Sequence, residues 1–243
     1  MKKIFSLVLG ALSLVSLVDS ADAQMVPGDG FPRLNGGFRA GLNVGNAALD
    51  PDFSQNSPQT THSSKLGAVV GGTLEYQFDP MLAVGFEMQY AQRGVIVDYT
   101  NFRGAGPATG TIRLDYLEFP VLLKLKLGDP PFRGILFAGP NFGFNMVAQG
   151  DYRYADTLEG GSNFTADMDD YFQRADIGID VGAGLEYNLS PSLFIVGDVR
   201  YTYGLTDATQ EVPRGTEIWN TRDIKAMVGV LFHLWTARQG RDL

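Results

Sequence analysis

The chain has 243 residues, 19 Lys and Arg against 27 Asp and Glu, and a formal charge of −8. That balance excludes a nucleic-acid surface, which needs clustered cations to neutralise phosphates. The absence of cysteine excludes disulfides and thiolate metal sites, while 30 glycines and 12% aromatic residues suit a β-rich chain.

Residues 1–23 read as a secretory signal peptide: Lys2 and Lys3, an apolar run over residues 4–18, and small Ala21 and Ala23 before Gln24. An apolar run of about 15 residues is short for a membrane span. Removing it takes away Lys2, Lys3, Asp19 and Asp22, so the charge stays at −8. Residues 24–34, with Pro27 and Pro32, form an expected periplasmic N-terminal segment. No later run of about 20 apolar residues follows, so no helix is expected to cross a membrane.

The first predicted strand covers residues 37–45, where Phe38, Ala40, Leu42 and Val44 alternate with Gly37, Arg39, Gly41, Asn43 and Gly45. Residues 46–64, carrying Pro51 and Pro58, are an expected long loop. Residues 66–93 then show two runs of period two about Asp79-Pro80. Leu66, Val70, Leu74, Tyr76 and Phe78, then Val84, Phe86, Met88 and Tyr90, share one face; Glu75, Gln77, Glu87, Gln89 and Arg93 share the other. Alternation of this kind is a strand hairpin with one apolar and one small or polar side.

A second long connection is expected over 94–113, although Val95, Ile96, Val97 and Tyr99 could extend the strands into it. The next strand sets Leu117, Phe119, Val121, Leu123 and Leu125 against Tyr116, Glu118, Pro120, Leu122, Lys124 and Lys126. After the stiff turn at 128–131, a fifth strand over residues 135–147 carries Leu136, Ala138, Phe142, Phe144 and Met146 on one parity and Ile135 and Phe137 on the other, so its faces stay open. The longest loop, 148–172, is rich in Asp, Gly and Tyr. A sixth strand sets Ile177, Ile179, Val181 and Leu185 against Arg174, Asp176, Asp180 and Glu186. The seventh carries Ile195, Val199, Tyr201 and Tyr203 opposite Asp198 and Arg200. After a loop at 206–221 the eighth carries Ile224, Ala226, Val228, Val230 and Phe232.

A soluble lipocalin-like barrel and a membrane barrel share this alternation. Three features favour lipid outside. Connections alternate between short turns near 79, 129 and 191 and four long loops, as in outer-membrane barrels with short periplasmic and long extracellular connections. The polar face is crowded with Gly and Ala and carries scattered charges, which suits a narrow eight-stranded interior filled by side chains. Aromatics gather at strand ends: Tyr76, Phe78, Tyr187 and Phe232 at one, Tyr90, Tyr201 and Tyr203 at the other. The predicted fold is all-β, an eight-stranded antiparallel up-and-down transmembrane β-barrel over residues 35–235, with residues 236–243 as a polar C-terminal tail, located in the outer membrane.

The run Tyr116-Leu117-Glu118-Phe119-Pro120-Val121-Leu122-Leu123-Lys124 resembles a Tyr-Leu-Glu-Ile-Pro-Leu-Leu-Leu-Lys strand of the outer-membrane β-barrel domain family of Bacteroidota and relatives, the PorT-like or "porin family" eight-stranded barrels. Gly182 to Tyr187 and Arg200 to Leu205 are similar to two further strands of that family. The resemblance implies a fold and a membrane, and raises a role in a secretion or envelope assembly. The polar tail after Phe232, Leu234 and Trp235 departs from the family's usual aromatic ending.

Arg39, Glu75, Glu87, Glu118, Lys124, Glu186, Asp198 and Arg200 are the expected interior polar core, a structural filling for a small barrel. Alternatively they line a cation path, which would make the protein a narrow porin or transporter. His62 with Ser64 suggests a lipid-modifying enzyme, though a His-x-Ser pair without its acid is more simply a polar loop. His233 is expected to be a packed, hydrogen-bonded residue. Asp151, Asp156, Glu159, Asp167, Asp169 and Asp170 offer carboxylate oxygens that suit a hard cation, but without EF-hand spacing they read as a solvated loop. No catalytic residue, cofactor site or metal site is assigned. The expected protein is a monomer without enzymatic activity. Its expected partners are outer-membrane lipid and lipopolysaccharide, the barrel-insertion machinery and a protein met through its loops, with no nucleic acid.

Overall fold

The computed structural model describes residues 31–48, 60–100, 106–154, 162–170, 172–207 and 220–236. Alternating residues that present apolar side chains to one side and small or charged ones to the other form β1 (Arg33–Ala48), β2 (Thr60–Gln77), β3 (Leu82–Tyr99), β4 (Ala108–Leu127), β5 (Phe132–Tyr154), β7 (Ala175–Ser190), β8 (Leu193–Asp207) and β9 (Asn220–Thr236). These eight pair antiparallel in sequence order, and β9 returns to pair with β1 from Arg33↔Thr236 to Ala48↔Asn220. With β4 also paired to β5, the ring is closed and exposes no edge along the wall. A ninth strand, β6 (Phe164–Asp167), pairs with the far end of β5 and stands outside the ring.

The strands are longer than the sequence pattern indicates. Pairing carries β3 to Tyr99, starts β4 at Ala108 and takes β5 to Tyr154, because backbone hydrogen bonds continue where the apolar-outward pattern has ended. Arg33 and Leu34 belong to β1, and Thr236 to β9, which moves the expected segment boundaries by one or two residues. The signal reading of residues 1–23 and residues 237–243 lie outside the described residues.

The short turns have local causes. Asp79 Oδ1 accepts from the N–H groups of Met81 and Leu82 at 2.7 and 2.9 Å, a side-chain turn device. Gly128 has φ +93°, a left-handed conformation that favours glycine.

The outer wall is apolar: Leu42, Phe86, Leu123, Val199 and Val228 are each more than half exposed. Such a band is stable only in hydrocarbon. Near the short-turn end, aromatic pairs stand on it, Tyr76 with Phe78 at 5.0 Å and Phe132 with Tyr187 at 5.7 Å between ring centroids.

The structure settles the faces of β5. Leu136, Phe142, Phe144 and Met146 face outward, while Ile135 and Phe137 are buried inside with Leu122, Phe194, Val196 and Leu231. A register shift follows, from Tyr116↔Asn145 to Asp115↔Val147. One extra residue in β5 switches which parity faces in, so Ala148 is buried beyond the bulge. There β3, β4 and β5 rise past the barrel mouth and enclose Val95, Val97, Ile112, Leu114, Ala148 and Phe172.

Candidate functional site

The lumen is built from inward residues of all eight wall strands, and its charges form three layers. Nearest the short turns, Glu75 accepts from Lys126 Nζ at 2.6 Å, Lys124 Nζ at 3.3 Å and Asn35 Nδ2 at 3.3 Å. Lys126 also donates to Glu186 at 2.7 Å. In the middle layer Glu87 receives Arg39 at 2.9 Å and Arg200 at 2.8 Å. Asp198 pairs with both arginines, Asp180 accepts from Thr202 at 2.7 Å, and Arg200 lies 5.0 Å from the Phe137 ring centroid.

The third layer centres on Glu118, which takes Arg93 at 2.6 Å, Lys225 and Asn141. Arg93 reaches Asp176 at 3.1 Å and Asp223 at 2.8 Å, and packs on Tyr116 at 4.6 Å. Small residues make room for these long side chains. A Cβ at Gly85 would sit 2.7 Å from Lys124 Cε, and one at Gly182 would sit 2.5 Å from the Phe137 ring.

All eight residues of the expected polar core line the lumen and meet opposite charges there. Arg93, Lys126, Arg133, Asp176, Asp180, Asp223 and Lys225 complete the set and were not among the expected core. Parity alone marks Arg93, Lys126, Asp176 and Asp180, which share the polar faces of their strands. Arg174, on that same parity, lies before β7 begins and is exposed.

Chemically this arrangement neutralises itself. Desolvated ions persist where pairing and hydrogen bonding satisfy them, and the free space beside Arg39, Glu75, Lys124 and Asp198 is about 10 Å³, room for about one water. At the short-turn mouth a larger cavity of about 160 Å³ is lined by Arg33, Lys126, Arg133, Glu186 and Asn188 among others.

The other candidates are placed as follows. His62 and Ser64 lie on β2 opposite Val97 and Val95, and Ser64 is exposed. His233 contacts Asn35 Oδ1 at 3.2 Å and Thr236 Oγ1 at 2.6 Å. In the acidic segment, Asp169 accepts from the Ala148 N–H, Asp167 from the Asp169 N–H and Asp151 from the Thr165 hydroxyl. These carboxylates are occupied in holding the chain, and among the described residues no acidic or histidine cluster could hold a metal ion. Asp156 and Glu159 lie outside the described residues.

Solved structures with similar backbones include Neisserial surface protein A, at 15% identity over 83% of this chain and 97% of that one, TM-score 0.44. OprG from Pseudomonas aeruginosa is 15% identical over 85% and 98%, TM-score 0.48. The outer membrane protease OmpT from Escherichia coli is 11% identical over 83% and 97%, TM-score 0.46. No curated protein matches the chain significantly. Residues 22–210 match the family model of the outer membrane protein beta-barrel domain, and the chain belongs to that family of outer-membrane barrels.

Proposed function

We propose that this outer-membrane protein is a closed, non-enzymatic barrel that acts through its extracellular extension by contacting a partner protein. The PorT-like resemblance supports placing that contact within a secretion or envelope assembly. One observation carries the reading: the lumen is filled by mutually paired charges with about 10 Å³ free between its lower and middle layers. A path for hydrated ions would need those pairs to separate, at a cost of several kcal/mol for each ion left unpaired. Function then moves to β3, β4, β5 and β6 beyond the bilayer, where loops on a rigid scaffold carry specificity.

The test is the full chain in planar bilayers, combined with photo-crosslinking in intact cells from the exposed Arg153 on β5. A silent bilayer and a discrete crosslinked species are expected. Steady conductance without a crosslinked partner would overturn the reading in favour of a narrow porin.

A further inference from the structure

We propose that the cavity at the periplasmic mouth binds a single oxyanion group, a carboxylate or a phosphate. The inference does not depend on the extracellular role. Its anchor is Arg133 on β5, only 9% exposed, which lines the cavity of about 160 Å³. Among the described residues its guanidinium has no hydrogen-bond partner. Its closest carboxylate oxygen, Glu186 Oε1, is 3.7 Å away, too far for a hydrogen bond, and the other oxygen of Glu186 is engaged by Lys126 at 2.7 Å. Arg133 Nε is sealed from solvent with no acceptor, and Asn188 Oδ1 on the same cavity is likewise unpartnered. A buried guanidinium left this way calls for a ligand.

The charge layers point to the sign of that ligand. Lining the cavity, the cations Arg33, Lys126 and Arg133 outnumber the single carboxylate Glu186. Higher up the cation excess is lost: Arg39 and Arg200, with Lys124 reaching Glu87 from below at 3.6 Å, face Glu87, Asp180 and Asp198, and Arg93 and Lys225 face Glu118, Asp176 and Asp223. The lumen is therefore most positive at its periplasmic mouth. A planar guanidinium fork matches a carboxylate or phosphate in two parallel hydrogen bonds. Turning the Asn188 amide, whose two ends are nearly the same size, would present a further donor. The volume of about 160 Å³ admits one such group together with several waters.

The experiment titrates the folded full chain in detergent at low salt with two probes, inorganic phosphate and N-acetylalanine, read by calorimetry and by the 15N signals of the arginine Nε–H groups. Saturable binding of at least one probe is expected, and Arg133→Gln should weaken it by at least about tenfold, the loss of one charge-assisted contact. Arg222→Gln, on the outer wall, should bind as the parent does. Binding of phosphate alone identifies a phosphate-bearing ligand, and binding of N-acetylalanine alone a carboxylate. Should Arg133→Gln fail to fold, Arg133→Lys keeps the charge without the planar fork and should also bind more weakly. No saturable binding of either probe, or undiminished binding by the folded Arg133 variant, would overturn the proposal.

Discussion

Below the level of Arg93 the barrel turns its charged side chains inward, beside one apolar cluster of Leu122, Ile135, Phe137, Phe194, Val196 and Leu231, and keeps its aliphatic wall outward. Above it, β3, β4 and β5 enclose Val95, Val97, Ile112 and Leu114 and present Asp98, Thr109, Asp151 and Arg153 to the outside. Both regions are buried within one continuous sheet, yet their hydropathy is inverted. The difference is the surrounding medium: hydrocarbon keeps charged side chains off the wall and leaves them to the interior, while water outside returns them to the surface and restores an apolar interior. The inversion marks where the bilayer ends, close to Tyr90, whose hydroxyl donates to Asp115 at 2.5 Å.

The contrast can be broken most forcefully from the lumen. Glu118 is the only carboxylate contacting Lys225 among the described residues, and it also holds Arg93. Glu118→Gln should cost about 3–5 kcal/mol, because it leaves a buried ammonium without its counter-charge; urea unfolding in phospholipid vesicles would measure it. Next comes the wall. Val199→Arg puts a cation on the lipid face and should destabilise by about 2–4 kcal/mol if the site is near the midplane, as measured for such positions in membrane barrels. The same unfolding assay checks this, and a cost near zero would mean that β8 meets water there.

The smallest effect belongs to the extension. Ile112→Val should cost about 0.5–1.5 kcal/mol, the usual range for trimming a packed methyl group. Hydrogen exchange should show the loss confined to β3–β5 beyond Arg93, with the lumen strands unchanged. Protection lost equally throughout the barrel would mean that the two regions unfold as one unit.

The ring and its wall were legible from period two together with the alternation of short and long connections and the aromatic strand ends, since parity in a strand has one meaning once lipid is placed outside. The ion pairs were not. Arg93 gathers Glu118 from β4, Asp176 from β7 and Asp223 from β9, a convergence set by strand tilt and register across the lumen, neither of which is written in any single strand. The faces of β5 were ambiguous for a physical reason: its inward Ile135 and Phe137 pack with Leu122, Phe194, Val196 and Leu231 inside the barrel and are as apolar as its outward Leu136 and Phe142, so hydropathy does not separate the two sides. Lys225 and Asp223 alternate with Ile224 and Ala226, so their inward parity is legible in β9, whereas their partners Glu118 and Arg93 lie on other strands.

The pairing of β1 with β9 brings Arg33 against Thr236, on the same side as the three short turns. Topologically, the wall is a circle that the chain happens to enter at β1, and no strand is first in the geometry of the ring. A polypeptide cut at residues 128–131 and joined across the two ends by a short linker could keep the same neighbours around the circle. Closure nevertheless depends on one strand from each side: without residues 220–236, β1 and β8 would each present an unpaired edge, and β9 completes the enclosure between them.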